Sequence, residues 1–188
     1  MNVTDAIHAR RAYRSLGPVE VTPELVDDLA THAGLSASCF NNQPWRFVFV
    51  YDKDALEAMW VALSRGNKWV ELASMIVAVF SKPEDDCQIR DRVYHQFDAG
   101  MATAFLILRA TELGLVAHPI AGFSPKKVKE VLGIPEEYQV ITLANVGRKS
   151  EAVHPYLSEE QAKAERTRPP RKPLAEYAYH NCYPSSPS

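Results

Sequence analysis

Cysteine is scarce in this sequence and unpaired in pattern: Cys39, Cys87 and Cys182 are far apart, odd in number and include no C-x-x-C. That argues against a structural zinc site or a disulfide framework, and the expectation is three reduced thiols in a cytosolic protein. The six histidines (His8, His32, His95, His118, His154 and His180) form no H-x-x-x-H or H-E-x-x-H pair, so no metal site is expected. There is no G-x-S-x-G elbow, no G-x-G-x-x-G fingerprint and no G-x-x-x-x-G-K-[ST] loop. No apolar run approaches the roughly 18 residues of a membrane span. The longest, Met101 to Leu108, stops at Arg109. Met1-Asn2-Val3-Thr4-Asp5 has no apolar signal core, so the expected location is the cytoplasm, away from membranes. Excess charge is also missing. A formal net charge of −2 disfavours a general nucleic-acid or membrane-surface binder, so any anion site must be local.

What is present is an ordinary globular composition, 46% hydrophobic and 23% charged, over 188 residues. One domain over residues 1–175 is expected, with a tail over 176–188 ending in Pro184-Ser185-Ser186-Pro187-Ser188, which should fray. Asp5–Arg11 reads as a short helix. Thr22-Pro23 reads as an N-cap with proline at the first helical position, and Leu25, Val26, Leu29, Ala30 and Ala33 follow at helical spacing up to a stop at Gly34. Trp45–Tyr51 reads as a strand, Ala55–Ser64 as a helix, and Met75–Phe80 as a buried strand. Asp91–Leu113 is the longest helical stretch, and its second half is apolar nearly all round. Such a helix needs cover on all sides, most easily from a partner chain. After Gly114 comes a short extended piece, then a helix from Ser124-Pro125 to Gly133, then the strand Val140–Val146. Beyond Gly147 the chain is polar, proline-rich and basic. Helices and strands mix without regular βαβ alternation, which argues for an α+β fold.

Four segments are candidates for chemistry. Arg10, Arg11 and Arg14 put three guanidiniums at a helix end. They form either a solvated basic terminus or a fork for phosphate oxygens. Ser38-Cys39-Phe40-Asn41-Asn42-Gln43-Pro44-Trp45 crowds amides before a strand, either as a polar cap on a sheet or as partners for the polar edge of a heterocycle. His118-Pro119-Ile120-Ala121-Gly122-Phe123 has small residues that would let a ligand approach the backbone, or serve only as a tight connection. Arg166-Thr167-Arg168-Pro169-Pro170-Arg171-Lys172-Pro173-Leu174 is a second basic cluster, either a disordered basic tail or a contributor to the first anion site. No acid–base or nucleophilic constellation stands out, which favours a cofactor that brings its own reactivity.

Together these segments resemble the nitroreductase family. Ile7 with Arg10-Arg11-Ala12-Tyr13-Arg14 is similar to the family's R-R-S-x-R opening, and Ser36–Trp45 to its S-x-x-N-x-Q-P-W loop. Asp98-Ala99-Gly100, Leu113-Gly114-Leu115, Pro119-Ile120-Ala121-Gly122-Phe123, Leu132-Gly133-Ile134-Pro135-Glu136 and Arg171-Lys172-Pro173-Leu174 follow in the family's order. The resemblance covers about residues 5–175. It implies an α+β fold with a central, mainly antiparallel sheet flanked by helices, an intertwined homodimer, and two FMN sites at the interface. It further implies that Arg10, Arg11, Ala12 and Arg14 hold FMN together with Arg171. Ala37, Ser38, Cys39 and Asn41 would reach the flavin from the other subunit, and Pro119, Ile120, Ala121 and Gly122 would lie along the ring, with Ala121 N–H near N5. Asn67 is a further candidate contact. The implied activity is ping-pong hydride transfer from NAD(P)H through FMN to a nitroaromatic or quinone, with no catalytic side chain of the protein. Other chemistry on the same fold (ene reduction, dehalogenation, flavin fragmentation) or a non-catalytic flavin sensor is the alternative. Three departures stand out: Ala12 where the family commonly has serine, and Cys39 and Phe40 where it commonly has smaller or polar residues.

Overall fold

The computed structural model describes residues 1–183; the expected frayed end, 184–188, lies outside the described residues. The sheet is built around β7 (Gln139–Lys149), the longest strand. On one side it pairs antiparallel with β6 (Leu115–Ile120). On the other it pairs antiparallel with β3 (Met75–Ser81) and then, beyond Val146, with the two-residue β1 (Leu16–Gly17). β2 (Arg46–Val50) extends the sheet from β3, also antiparallel. All five strands are therefore antiparallel to their neighbours, and the fold is α+β as the sequence pattern implies.

β3 shows why the sequence folds this way. All seven of its residues are buried, as expected for a strand covered on both faces. Side chains alternate across a strand. Ile76, Ala78 and Phe80 join one core with Met59, Trp69, Val70, Val128 and Leu143. Met75 and Val77 join a second with Leu29, Ala33, Leu106 and Ala110. The first core is covered by α3 (Lys53–Met59), the 3₁₀ segment Arg65–Leu72 and α5 (Pro125–Leu132). The second is covered by α2 (Pro23–Gly34) and α4 (His95–Glu112). Thr22 Oγ1 accepts from Leu25 N at the start of α2, and Ser124 Oγ accepts from Lys127 N at the start of α5. Gly133 closes α5 at φ +66, a conformation in which a Cβ would crowd the carbonyl.

Several expectations need correction. α1 (Val3–Ala9) stops before the arginines, because Arg10 turns to an extended conformation (φ −54, ψ 123). α3 ends at Met59 and tightens into a 3₁₀ turn over Trp60–Ala62. The long helix begins only at His95, because the four residues before it belong to the small hairpin of β4 (Gln88–Ile89) and β5 (Arg92–Val93). The polar stretch beyond Gly147 contains an unexpected helix, α6 (Glu159–Arg166). Within one chain α4 is not buried all round: Ala99, Ala102, Leu106 and Ala110 face the sheet, while Phe97 and Phe105 stand exposed. Among the described residues no helix is long and apolar enough to cross a membrane.

Candidate functional site

The turn at Arg10 delivers Arg10, Arg11 and Arg14 in an extended segment that runs alongside α6. The two elements tie each other's ends. Nη2 of Arg11 donates to the carbonyls of Ala164 (2.6 Å) and Glu165 (3.3 Å), which lie in the last turn of α6. Nη2 of Arg168 donates to the carbonyls of His8 (2.6 Å) and Arg10 (3.1 Å) at the end of α1. Helix C-termini leave carbonyls unpaired and carry partial negative charge, so a guanidinium is a suitable cap for each. The buried Glu165 completes the joint: its carboxylate accepts from Arg14 N at 2.8 Å and Ser15 N at 3.1 Å. Glu165 was not among the sequence candidates. The signal that points to its helix is the Ser158-x-x-Gln161 capping box, here formed in both directions.

Between these elements lies a cavity of about 540 Å³ lined by Arg10, Arg11, Ala12, Arg14, Arg168 and Arg171 among others; Glu160 is the one acid on its wall. The two basic clusters thus converge, although some 150 residues of chain separate them. Arg11 and Arg168 are committed to carbonyls. Among the described residues the guanidiniums of Arg10, Arg14 and Arg171 make no hydrogen bond and no ion pair; Arg14 only lies over the Trp69 ring, 6.0 Å from its centroid. Burial, and then repulsion by Arg168 and Arg171, lowers the pKa of Arg10 below the usual arginine value. Charges gathered at this cost fit a multiply charged anion.

Beneath Arg14 the packing is aromatic. His118, on β6, stacks on Trp69 with ring centroids 4.6 Å apart. Its Nδ1–H donates to the Tyr13 carbonyl at 3.0 Å. Burial first, helped by Arg14, pushes its pKa down to about 4, so the ring is neutral near pH 7. Beyond β6 the chain turns through Ala121 and Gly122. The Gly122 carbonyl accepts from Ser64 N (3.0 Å) and from Asn67 Nδ2 (2.9 Å). Asn67 Oδ1 accepts from Trp69 Nε1 at 3.2 Å, and Nδ2 also reaches Ser64 Oγ at 3.3 Å. The Asn67 amide is therefore engaged in fixing this turn. A Cβ on residue 122 would come within 2.5 Å of Asn67 Nδ2 and 2.6 Å of Ser64 Oγ, so a side chain there would displace both from their hydrogen bonds.

The Ser36–Pro44 segment lies apart. Ala37, Ser38, Cys39 and Asn41 do not line the arginine cavity, and neither do Asn67 or the turn Pro119, Ile120, Ala121 and Gly122. Phe40, Asn41 and Gln43 all have positive φ (47, 59 and 51), and Phe40 is 87% exposed. The loop is held by Cys39 N donating to Asp98 Oδ2 (2.7 Å) and Gln43 N donating to Ser38 Oγ (3.0 Å). It is also held covalently. The expectation of three reduced thiols is corrected: Cys39 and Cys87 form a disulfide, and Cys182 is the free, exposed thiol. The bond escapes a reading of spacing because 48 residues separate the two cysteines; the fold brings the loop beside the connection that follows β3.

The model of the nitroreductase family matches residues 7–69 and 61–148. A 15.4 kDa protein of Mycolicibacterium smegmatis is 33% identical over 113 residues, covering 60% of this chain and 72% of its own. An NADH dehydrogenase of Thermus thermophilus is 24% identical over 177 residues, covering 78% of this chain and 86% of its own. The crystal structure of an oxidoreductase containing FMN is 26% identical with a TM-score of 0.84, covering 99% of this chain and 95% of that one.

Proposed function

The chain belongs to the nitroreductase family, and from that premise we propose that it is an FMN-dependent oxidoreductase using NAD(P)H to reduce an electron-poor acceptor, a nitroaromatic or a quinone. The observation that carries this reading is the convergence of Arg10, Arg14 and Arg171 on one cavity whose wall carries a single acid, Glu160, with which none of the three forms an ion pair among the described residues. Guanidinium forks match phosphate oxygens, so the donor set fits the phosphate of FMN. The chemistry FMN supplies when bound is hydride acceptance from NAD(P)H and delivery to the acceptor, the two substrates using one place in turn.

The chain's own part is to bind, orient and polarise. Arg10, Arg14 and Arg171 hold the phosphate. Arg11 and Glu165 keep that segment rigid, so its charges are aimed before the ligand arrives. The ring lies along the turn of Pro119, Ile120 and Ala121, and Gly122 makes room for Asn67 and Ser64, which fix that turn from behind. Ala37, Ser38, Cys39 and Asn41 complete the site from a second copy of the chain. The NADH dehydrogenase among the relatives supports a nicotinamide donor. The test is an absorbance spectrum of the purified protein with and without added FMN, followed by anaerobic NADH or NADPH. A yellow protein that bleaches is expected. A colourless protein that takes up no FMN overturns the proposal; a yellow one that no nicotinamide bleaches assigns the pocket to flavin binding alone.

A further inference from the structure

The proposed chemistry makes no use of the Cys39–Cys87 bond, yet its surroundings are built rather than incidental. Cys87 is buried and Cys39 is only half-buried, so Cys39 is the more exposed end of the bond. Asn42 Nδ2 donates to the inner sulfur, Cys87 Sγ, at 3.4 Å, and to Asp86 Oδ1 at 3.2 Å. Asp86 Oδ1 also accepts from Cys87 N at 2.8 Å. Asp86 Oδ2 is buried with no hydrogen-bond partner among the described residues. Beside it lies the carboxyl of the buried Asp98, which holds Cys39 N. Burial first, and then the neighbouring Asp86, raises the pKa of the Asp98 carboxyl.

The bond also closes a loop that resists its own conformation. Phe40, Asn41 and Gln43 each sit in the left-handed region, which is strained for Phe40 and Gln43 and easier for the asparagine between them. Such a segment persists only while its surroundings hold it, and the disulfide is the one covalent tie among them.

We propose that Cys39–Cys87 is a reversible thiol–disulfide site, opened by low-molecular-weight thiols, whose state sets the conformation of the Ser38–Gln43 loop. An external thiolate attacks Sγ of Cys39. The S–S bond breaks and its electron pair leaves on Sγ of Cys87, where the Asn42 N–H stabilises the charge and solvent supplies the proton. A second external thiol displaces the mixed disulfide from Cys39. The balance is two protein thiols formed and one external disulfide released. With the tie cut, Phe40 and its neighbours relax from positive φ. If the loop borders the flavin of the second copy, a consequence that rests on the function proposed above, the thiol state then gates access to it.

The experiment uses the full chain with Cys182→Ser, which removes the free exposed thiol. The folded protein is equilibrated in glutathione buffers of graded redox poise, alkylated and weighed, while amide exchange is followed over residues 38–43. Cys39 and Cys87 are expected to become alkylated together, to close again on return to oxidised glutathione, and to raise loop exchange about tenfold when open. Three results overturn the proposal: reduction only after global unfolding, thiols that stay free in excess oxidised glutathione, or loop exchange indifferent to thiol state. None of these readouts uses flavin, so the failure of one proposal is distinguishable from the failure of the other.

Discussion

At the scale of single residues, Arg14 is the most informative position. Its backbone N–H is held by Glu165, but its guanidinium has no protein acceptor among the described residues, so its charge serves something other than the fold. Arg14→Ala should weaken FMN binding by about 1.5–3 kcal/mol, the range for a hydrogen bond to a charged group. It should leave stability nearly unchanged. Fluorescence titration of the apoprotein with FMN measures the loss, and unaltered affinity would move the anion site elsewhere. His118 makes a different point. Its pKa is about 4 in the fold against an ordinary value of 6.5, with burial the main cause; Arg14 and Arg10 push the same way and Glu165 opposes them. Between those two values the unfolded chain takes up a proton that the folded chain refuses, so stability falls as pH falls through this window. The penalty is complete below it, on the order of 3 kcal/mol. In His118→Asn, whose amide can still donate to the Tyr13 carbonyl, the drop in urea midpoint between about pH 7 and about pH 4.5 should shrink. An identical drop in both proteins would rule out His118 as a source of acid sensitivity.

At the scale of elements, what could be read from the sequence depended on whether a signal was local. β3 is legible because the six apolar residues Met75–Phe80 form a short continuous run of strand length, and α5 because Ser124-Pro125 and Gly133 bracket it. The arginine at 171 was legible only through order and spacing along the chain; nothing local places it beside Arg10. α6 was missed because its own face is polar, and its stability comes from a capping box and from contacts with a segment about 150 residues away. The disulfide was missed for the same reason: its partners meet only through the packing of the loop against the start of α4. This gives α6 a test of its own. Ser158→Ala removes the side chain that accepts from Gln161 N and should cost about 1 kcal/mol. The loss should appear first as faster amide exchange in Glu159–Arg166, then as looser FMN binding through Arg11 and Arg14. Exchange unchanged across that helix would mean that Arg11 and Glu165, rather than the cap, hold it.

At the scale of the whole molecule, the arginine cavity and the Ser36–Pro44 loop lie apart within one chain. The arginine cavity has no contribution from the Ser36–Pro44 loop, and that loop displays a large aromatic, Phe40, to solvent. The outer side of α4 is exposed and partly apolar. Phe105 and Leu108 border an apolar groove of about 300 Å³ with Met1, Val3, Ala6 and Leu35, and Phe97 stands exposed farther along the helix. Exposed apolar surface of this kind on a chain with a packed core marks an interaction face. A second copy related by two-fold symmetry is the simplest occupant, because one patch then covers itself. It would also bring a second Ser36–Pro44 loop into play, which a monomer lacks beside its arginines. Assembly and flavin binding should therefore fail together. Phe105→Asp places a charge where the groove is apolar, and an unpaired charge at a buried interface is costly enough to abolish association. The variant should sediment as a folded monomer and lose its yellow colour, although residue 105 lines no part of the arginine cavity. A monomer that keeps FMN at full affinity would show that one chain suffices for the site, and the loop at Cys39 would then need another purpose.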